Sequence, residues 1–169
     1  MQRFTLVLAL LLAACATSKS NDVAPSAAPD LASQGNVFKA TLSADMEVPK
    51  PTVDASKAPS GTATFTVTPT SVSYQVKVMN LSSAYTACHI HAGPAGVAGP
   101  VIVPLTLTPG SDGTASGEGT FDTSALKGKM PDGTPMTMAN FVAALRAGTT
   151  YINVHTANNK PGEARGQIQ

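Results

Sequence analysis

Tyr85-Thr86-Ala87-Cys88-His89-Ile90-His91-Ala92-Gly93-Pro94-Ala95-Gly96-Val97-Ala98-Gly99-Pro100 decides the fold, and it holds two of the chain's three histidines. Successive side chains of a strand point to opposite faces, so His89 and His91 share one face while Cys88 and Ile90 share the other. Cys88 and Ile90 suit a core, and the histidines suit the polar side of a sheet with one wet face. Residues two apart on one strand face lie roughly 6.5–7 Å apart. Two imidazoles can converge from that spacing on one metal ion at bonds of about 2.0–2.1 Å. The third histidine lies in Tyr151-Ile152-Asn153-Val154-His155-Thr156, a second alternating run. There Ile152 and Val154 are expected to face inward, and Tyr151, Asn153 and His155 outward. Each histidine thus stands on the polar side of a strand that runs into a Gly- or Pro-containing loop.

Outward from these two strands the rest of the domain reads as all-β. Phe38, Ala40, Leu42 and Ala44 alternate with Lys39, Thr41 and Ser43, as in a half-buried strand. Ala63, Phe65 and Val67 alternate with threonines, and Val72, Tyr74, Val76 and Val78 repeat the pattern after a Pro69-Thr70-Ser71 connection. Val101 to Leu107 is apolar enough for the middle of a sheet, although Pro104 favours an edge or a bulge. Gly113 to Phe121 and Ala164 to Ile168 read as further strands, and Asp45 to Pro59, with three prolines, as a loop. One helix interrupts them: Thr137 can cap it, Phe141, Val142, Ala144 and Leu145 form its apolar stripe, and Gly148 can end it. About seven or eight short strands and one short helix predict a single antiparallel Greek-key β-sandwich, Ig-like or Cu,Zn superoxide dismutase-like in outline.

The N-terminus reads differently. Arg3 and the apolar run Phe4 to Leu12 form a signal peptide over residues 1–14, too short to span a membrane. Leu12-Ala13-Ala14-Cys15 resembles the lipobox of bacterial lipoproteins. That resemblance implies cleavage before Cys15 and a diacylglyceryl group on its sulfur, usually with an acylated amino group. Two or more acyl chains at ~0.8 kcal/mol per buried CH₂ give stable anchoring. Ala16, rather than Asp, after the cysteine would not call for inner-membrane retention in a Gram-negative cell, which points to the outer membrane. Residues 15–36 are rich in Ala, Ser, Pro and Asp without aromatics, and are expected to be a flexible tether. Residues 37–169 form the domain.

Composition narrows the partners. Removing the signal peptide takes Arg3 and leaves ten basic and ten acidic residues, with no basic cluster and few aromatics. Nucleic acid is therefore not an expected partner. Cys15 and Cys88 are the two cysteines, so a lipidated Cys15 leaves Cys88 without a partner in the chain. Strand parity points Cys88 away from the histidines, as a small buried hydrophobe.

Ala40-Thr41-Leu42-Ser43-Ala44-Asp45-Met46-Glu47-Val48-Pro49, His89-Ile90-His91-Ala92-Gly93, Gly99-Pro100-Val101, Tyr151-Ile152-Asn153-Val154-His155-Thr156 and Pro161-Gly162-Glu163-Ala164-Arg165-Gly166-Gln167 together resemble the CHRD domain, named after chordin. The resemblance covers about residues 38–169. It implies a β-sandwich in extracellular or envelope proteins and no settled activity. Ala164 stands where the family commonly has Ile, and Lys127 to Met138 looks like an insertion.

Three functions follow as expectations. The first is a metal-binding envelope module with His89, His91 and His155 as ligands and Glu163 offered as a fourth. Neutral imidazoles suit zinc or copper. The second is a metal-free module that binds a protein or small ligand, its histidines only ordering the loops at Gly93–Gly99 and Asn158–Gly162. The third is a superoxide dismutase-like redox enzyme, for which three histidines are too few and the disulfide is missing. Glu163 and Arg165 share a face by parity, as a solvated ion pair at a strand start or as groups that orient a ligand. Asn153 lies on the face of His155 and is expected to orient it.

Overall fold

The computed structural model describes residues 36–129 and 132–169. The signal peptide, lipobox and nearly all of the tether lie outside the described residues. Nine strands form one antiparallel sheet: β1 (Val37–Ser43), β2 (Ser60–Val67), β3 (Ser71–Met79), β4 (Tyr85–Ala92), β5 (Val101–Leu105), β6 (Thr108–Pro109), β7 (Ala115–Asp122), β8 (Thr150–Thr156) and β9 (Ala164–Gln167). Their order is β5-β4-β8-β9-β1-β2-β3-β7-β6. The fold is all-β and sandwich-like, because both halves of this sheet bury their inward faces in one core cluster. Phe65, Val76 and Val78 from one half enter the same cluster as Ile90, Ile152 and Ile102 from the other. The halves meet where Ser43 of β1 pairs with Arg165 of β9, reinforced by reciprocal backbone bonds of 2.7 and 2.9 Å between Lys39 and Gln169.

The alternation read from the sequence sets which side chains are buried. Phe38, Ala40 and Leu42 of β1, Ala63, Phe65 and Val67 of β2, and Val72, Tyr74, Val76 and Val78 of β3 all point into the core. Cys88 and Ile90 point inward from β4 at 1% and 0% exposure. β5 is an edge strand, as Pro104 requires, and its pairing with β4 shifts register between Ile90 and His91. The short β6 has no signal in the sequence. Its two residues pair with β7 at Ser116 and Ala115 through backbone groups alone.

The single helix, α1 (Met138–Arg146), starts where Thr137 accepts a 3.1 Å bond from the Asn140 N–H and buries Phe141, Val142, Ala144 and Leu145. Gly148 follows at φ 63°, a conformation that glycine adopts without strain. Phe141 meets Phe121 edge to face at 5.7 Å, which fastens the helix to the sheet. The insertion-like segment docks as well: Lys127 N–H donates to Ile102 O at 2.8 Å, and Met136 is buried. No helix among the described residues is long and apolar enough to cross a membrane.

One expectation fails in a way that shapes the site. β8 was expected to have a wet face, yet Tyr151 and Asn153 are each only 2% exposed. Three loops cover that face. Arg165 and Gln167 donate to Pro94 O and Gly93 O of one loop, each at 2.9 Å, and Asn153 donates to Glu47 Oε1 of the second at 3.3 Å and to Pro161 O of the third at 3.5 Å. The domain therefore has a second, polar interior on the outer side of β4, β8 and β9.

Candidate functional site

The register of β4 against β8 brings the histidines together. The strands are antiparallel neighbours with His89 opposite Asn153, His91 opposite Tyr151 and Ala87 opposite His155. His155 is thus one step diagonal from His89 on the same face, within reach of a long side chain. His89 Nδ1 and His155 Nε2 lie 3.1 Å apart. Ring centroids are 5.8 Å apart for His89 and His91, 4.9 Å for His89 and His155, and 6.1 Å for His91 and His155. One ring nitrogen from each residue falls in a group whose members are all within 4.8 Å of one another. Two ligands of one tetrahedral ion at bonds of 2.0–2.1 Å stand about 3.3 Å apart, so the closest pair is near that spacing.

The loops fix the tautomers. A carbonyl can only accept, so His91 Nδ1–H donates to Gly99 O and His155 Nδ1–H to Lys160 O, each at 2.9 Å. With Nδ1 protonated, a neutral ring presents a lone pair at Nε2. That arrangement, a backbone carbonyl behind the ring and a free nitrogen in front, is how ligating imidazoles are commonly held. His91 Nε2 is buried and has no hydrogen-bond partner. His155 Nε2 faces His89 Nδ1, whose proton then occupies the space between them.

Electrostatics keep the rings neutral. Burial pulls His91 down to about 4, against the opposing bond to Gly99. Burial, and then the neighbouring His155, hold His89 below its ordinary value, and burial does the same for His155. A neutral imidazole is the form that ligates.

Tyr151 completes the frame. Its ring stacks on His91 at 4.8 Å and 13°, and its hydroxyl accepts from the Gly99 N–H at 3.0 Å. The Arg165 guanidinium lies 3.4 Å from the Tyr151 ring centroid. His91, Gly99 and Tyr151 thus form a closed unit: ring to carbonyl, amide to hydroxyl, ring on ring. Gly99 is required there, because a Cβ would stand 1.6 Å from Ala92 O.

The other predicted residues are placed elsewhere. Glu163 does not join the histidines, and its carboxylate is wholly engaged. It accepts from Ser82 N at 2.6 Å, Ser82 Oγ at 2.7 Å, Asn159 Nδ2 at 2.8 Å and the Thr156 hydroxyl. Burial pushes this carboxyl up, but those four hydrogen bonds together outweigh it and hold it below the usual carboxylate value. The expected Glu163–Arg165 ion pair does not form, and neither residue is solvated, at 0% and 1% exposure. Arg165 turns to Pro94 O and the Tyr151 ring instead. Asn153 makes no hydrogen bond to His155. It bonds Glu47 and, at 3.5 Å, Pro161 O, while the Lys160 carbonyl orients His155. Cys88 is a free buried cysteine in the core, its thiol pushed up by burial. Two contributors were missed in the sequence, Gly99 and Tyr151. Backbone carbonyls and ring stacking leave no residue-type signature, whereas Gly99 sat in a quoted loop without a role.

An antiparallel β-domain whose polar interior gathers three neutral imidazoles is the class that the fold and site define. The family model of the CHRD domain matches residues 38–168, and the chain belongs to that family. No curated protein and no solved structure matches it.

Proposed function

We propose that this chain is a lipid-anchored module of the bacterial envelope that binds one zinc or copper ion through His89, His91 and His155. One observation carries the reading: three neutral imidazoles offer nitrogens within 4.8 Å of one another, and the buried His91 Nε2 has no other partner. A buried nitrogen without a partner is costly, and a metal bond relieves that cost. Three protein ligands leave a fourth tetrahedral position for water or an exogenous donor. The anchor rests on Leu12-Ala13-Ala14-Cys15, and the envelope location on the anchor.

A second reading has its own support. The same His91–Gly99 and His155–Lys160 bonds tie the loops to the sheet with no metal needed. The module would then bind a protein or small ligand through those loops. Elemental analysis of the full chain, purified without chelator or tag histidines, separates the two. The metal reading expects about one zinc or copper per chain, with a lower content in a folded His91→Ala variant whose two remaining histidines hold the ion more weakly. A metal-free wild type that also takes up none when loaded leaves the loop-ordering role.

A further inference from the structure

The three rings of the histidine cluster are not held alike. His91 and His155 each have Nδ1 at 2.9 Å from a backbone carbonyl, Gly99 O and Lys160 O respectively. A carbonyl only accepts, so each neutral ring carries its proton on Nδ1 and a lone pair on Nε2. Among the described residues, the one hydrogen bond of the His89 ring runs from Nδ1 to His155 Nε2, at 3.1 Å. His155 Nε2 is the acceptor in that contact, so His89 Nδ1 carries the proton between them. The His89 ring is only half-buried, and its Nε2, unlike that of His91, is not a buried atom without a partner.

That bond lies across the seat of an ion. Two ligands of one tetrahedral ion stand about 3.3 Å apart, and His89 Nδ1 and His155 Nε2 already stand at 3.1 Å. The nitrogen of His89 at ligand spacing is therefore Nδ1, and bringing Nε2 there instead would require the ring to turn. His91 and His155 cannot turn without giving up a carbonyl bond, and His91 would give up its stack on Tyr151 as well. What obstructs the seat is one proton. While it sits on His89 Nδ1, that atom cannot ligate and the lone pair of His155 Nε2 is occupied. A neutral imidazole has two tautomers, and His89 is the ring whose tautomer no carbonyl fixes.

Resting on the one-ion site proposed above, we propose that His89 is its closing residue. With no ion bound, His89 Nδ1–H caps His155 Nε2 and holds the cluster shut. When an ion enters, the Nδ1 proton leaves to water, another is taken up from water at Nε2, and Nδ1 becomes the ligand. One proton is lost and one gained, so the exchange at His89 releases none. The ion is then held by unlike atoms, Nδ1 of His89 and Nε2 of His91 and His155. Because the cap competes with the ion for two of the three nitrogens, a ring that cannot form it binds metal more tightly.

The test uses the full chain in two forms, the wild type and one in which His89 is replaced by Nε2-methylhistidine, whose neutral ring has a bare lone pair on Nδ1. Long-range proton–nitrogen NMR spectra of the isotope-labelled wild type, before and after one equivalent of zinc or Cu(I), show which nitrogen of each ring is protonated and which is bound. Without metal, all three rings should be protonated on Nδ1. With metal, His89 alone should change to Nε2–H with Nδ1 bound. The methylated chain should take up the ion about two- to tenfold more tightly than wild type, the worth of one hydrogen bond. Metal held by His89 Nε2, or a methylated chain that binds no more tightly than wild type, overturns the proposal and leaves the three-histidine site standing. Histidine nitrogens that respond to neither ion overturn both.

Discussion

His91 ties stability to pH through its burial. Its folded-state value of about 4 lies below the unfolded 6.5, so the unfolded chain binds more protons between them. The stabilisation from keeping this ring neutral is complete above pH 6.5 and is lost as the pH falls toward 4. It amounts to on the order of 3 kcal/mol at most. Glu163 acts in the same direction, since its lowered carboxyl contributes stability above the unfolded carboxylate value that is lost on protonation. Urea denaturation of the metal-free protein should therefore show a midpoint that rises from pH 4 to pH 6.5. His91→Gln should flatten that rise, and an unchanged slope would mean that His91 is not buried as a neutral ring. Cys88, at 1% exposure, should react with thiol reagents only after denaturation. Cys88→Ala should cost about 1–2 kcal/mol without changing metal content. Rapid labelling of the native protein would reverse the facing of β4.

At the scale of elements, the loop at residues 93–100 is as much a part of the site as the strands. Gly99→Ala would place a methyl group 1.6 Å from Ala92 O, which backbone cannot absorb in place. The loop must move, taking with it the carbonyl that orients His91 and the amide that holds Tyr151. Gly99→Ala should lower stability by about 2 kcal/mol or more and weaken metal binding with it. Tyr151→Phe, which removes only the hydroxyl bond to Gly99, should have a smaller effect of the same kind. Wild-type metal affinity and melting temperature in Gly99→Ala would show that the loop does not set His91. The strands and their inward faces were legible because a period of two leaves its mark at Phe38, Ala40 and Leu42 or Val72, Tyr74 and Val76. The burial of Tyr151 and Asn153 was not. Whether a face predicted to be wet is covered depends on where Pro94, Glu47 and Pro161 return in space, and no local pattern carries that. For the same reason Glu163 was misjudged: strand parity placed it beside Arg165, whereas Ser82, Thr156 and Asn159 close around its carboxylate.

For the whole molecule, the chain is read as an anchored domain with its histidines in a polar interior. The anchor predicts that mature protein partitions into detergent and that Cys15→Ser accumulates as unprocessed, unlipidated precursor. A normally cleaved, soluble Cys15→Ser product would remove the anchor and the envelope assignment with it. The gathering of His89, His91 and His155 was legible only in part. Parity put each on the right face, but their convergence needed β4 beside β8 in the register that sets His89 against Asn153. The central claim is that these three rings share one ion. Electron paramagnetic resonance of the chain titrated with Cu(II) tests it most directly, because coupling to ligand nitrogen counts the imidazoles bound. The account predicts one copper per chain with three equatorial nitrogens, falling to two in His91→Ala. A spectrum with one or no imidazole nitrogen, or one that His91→Ala leaves unchanged, would contradict it.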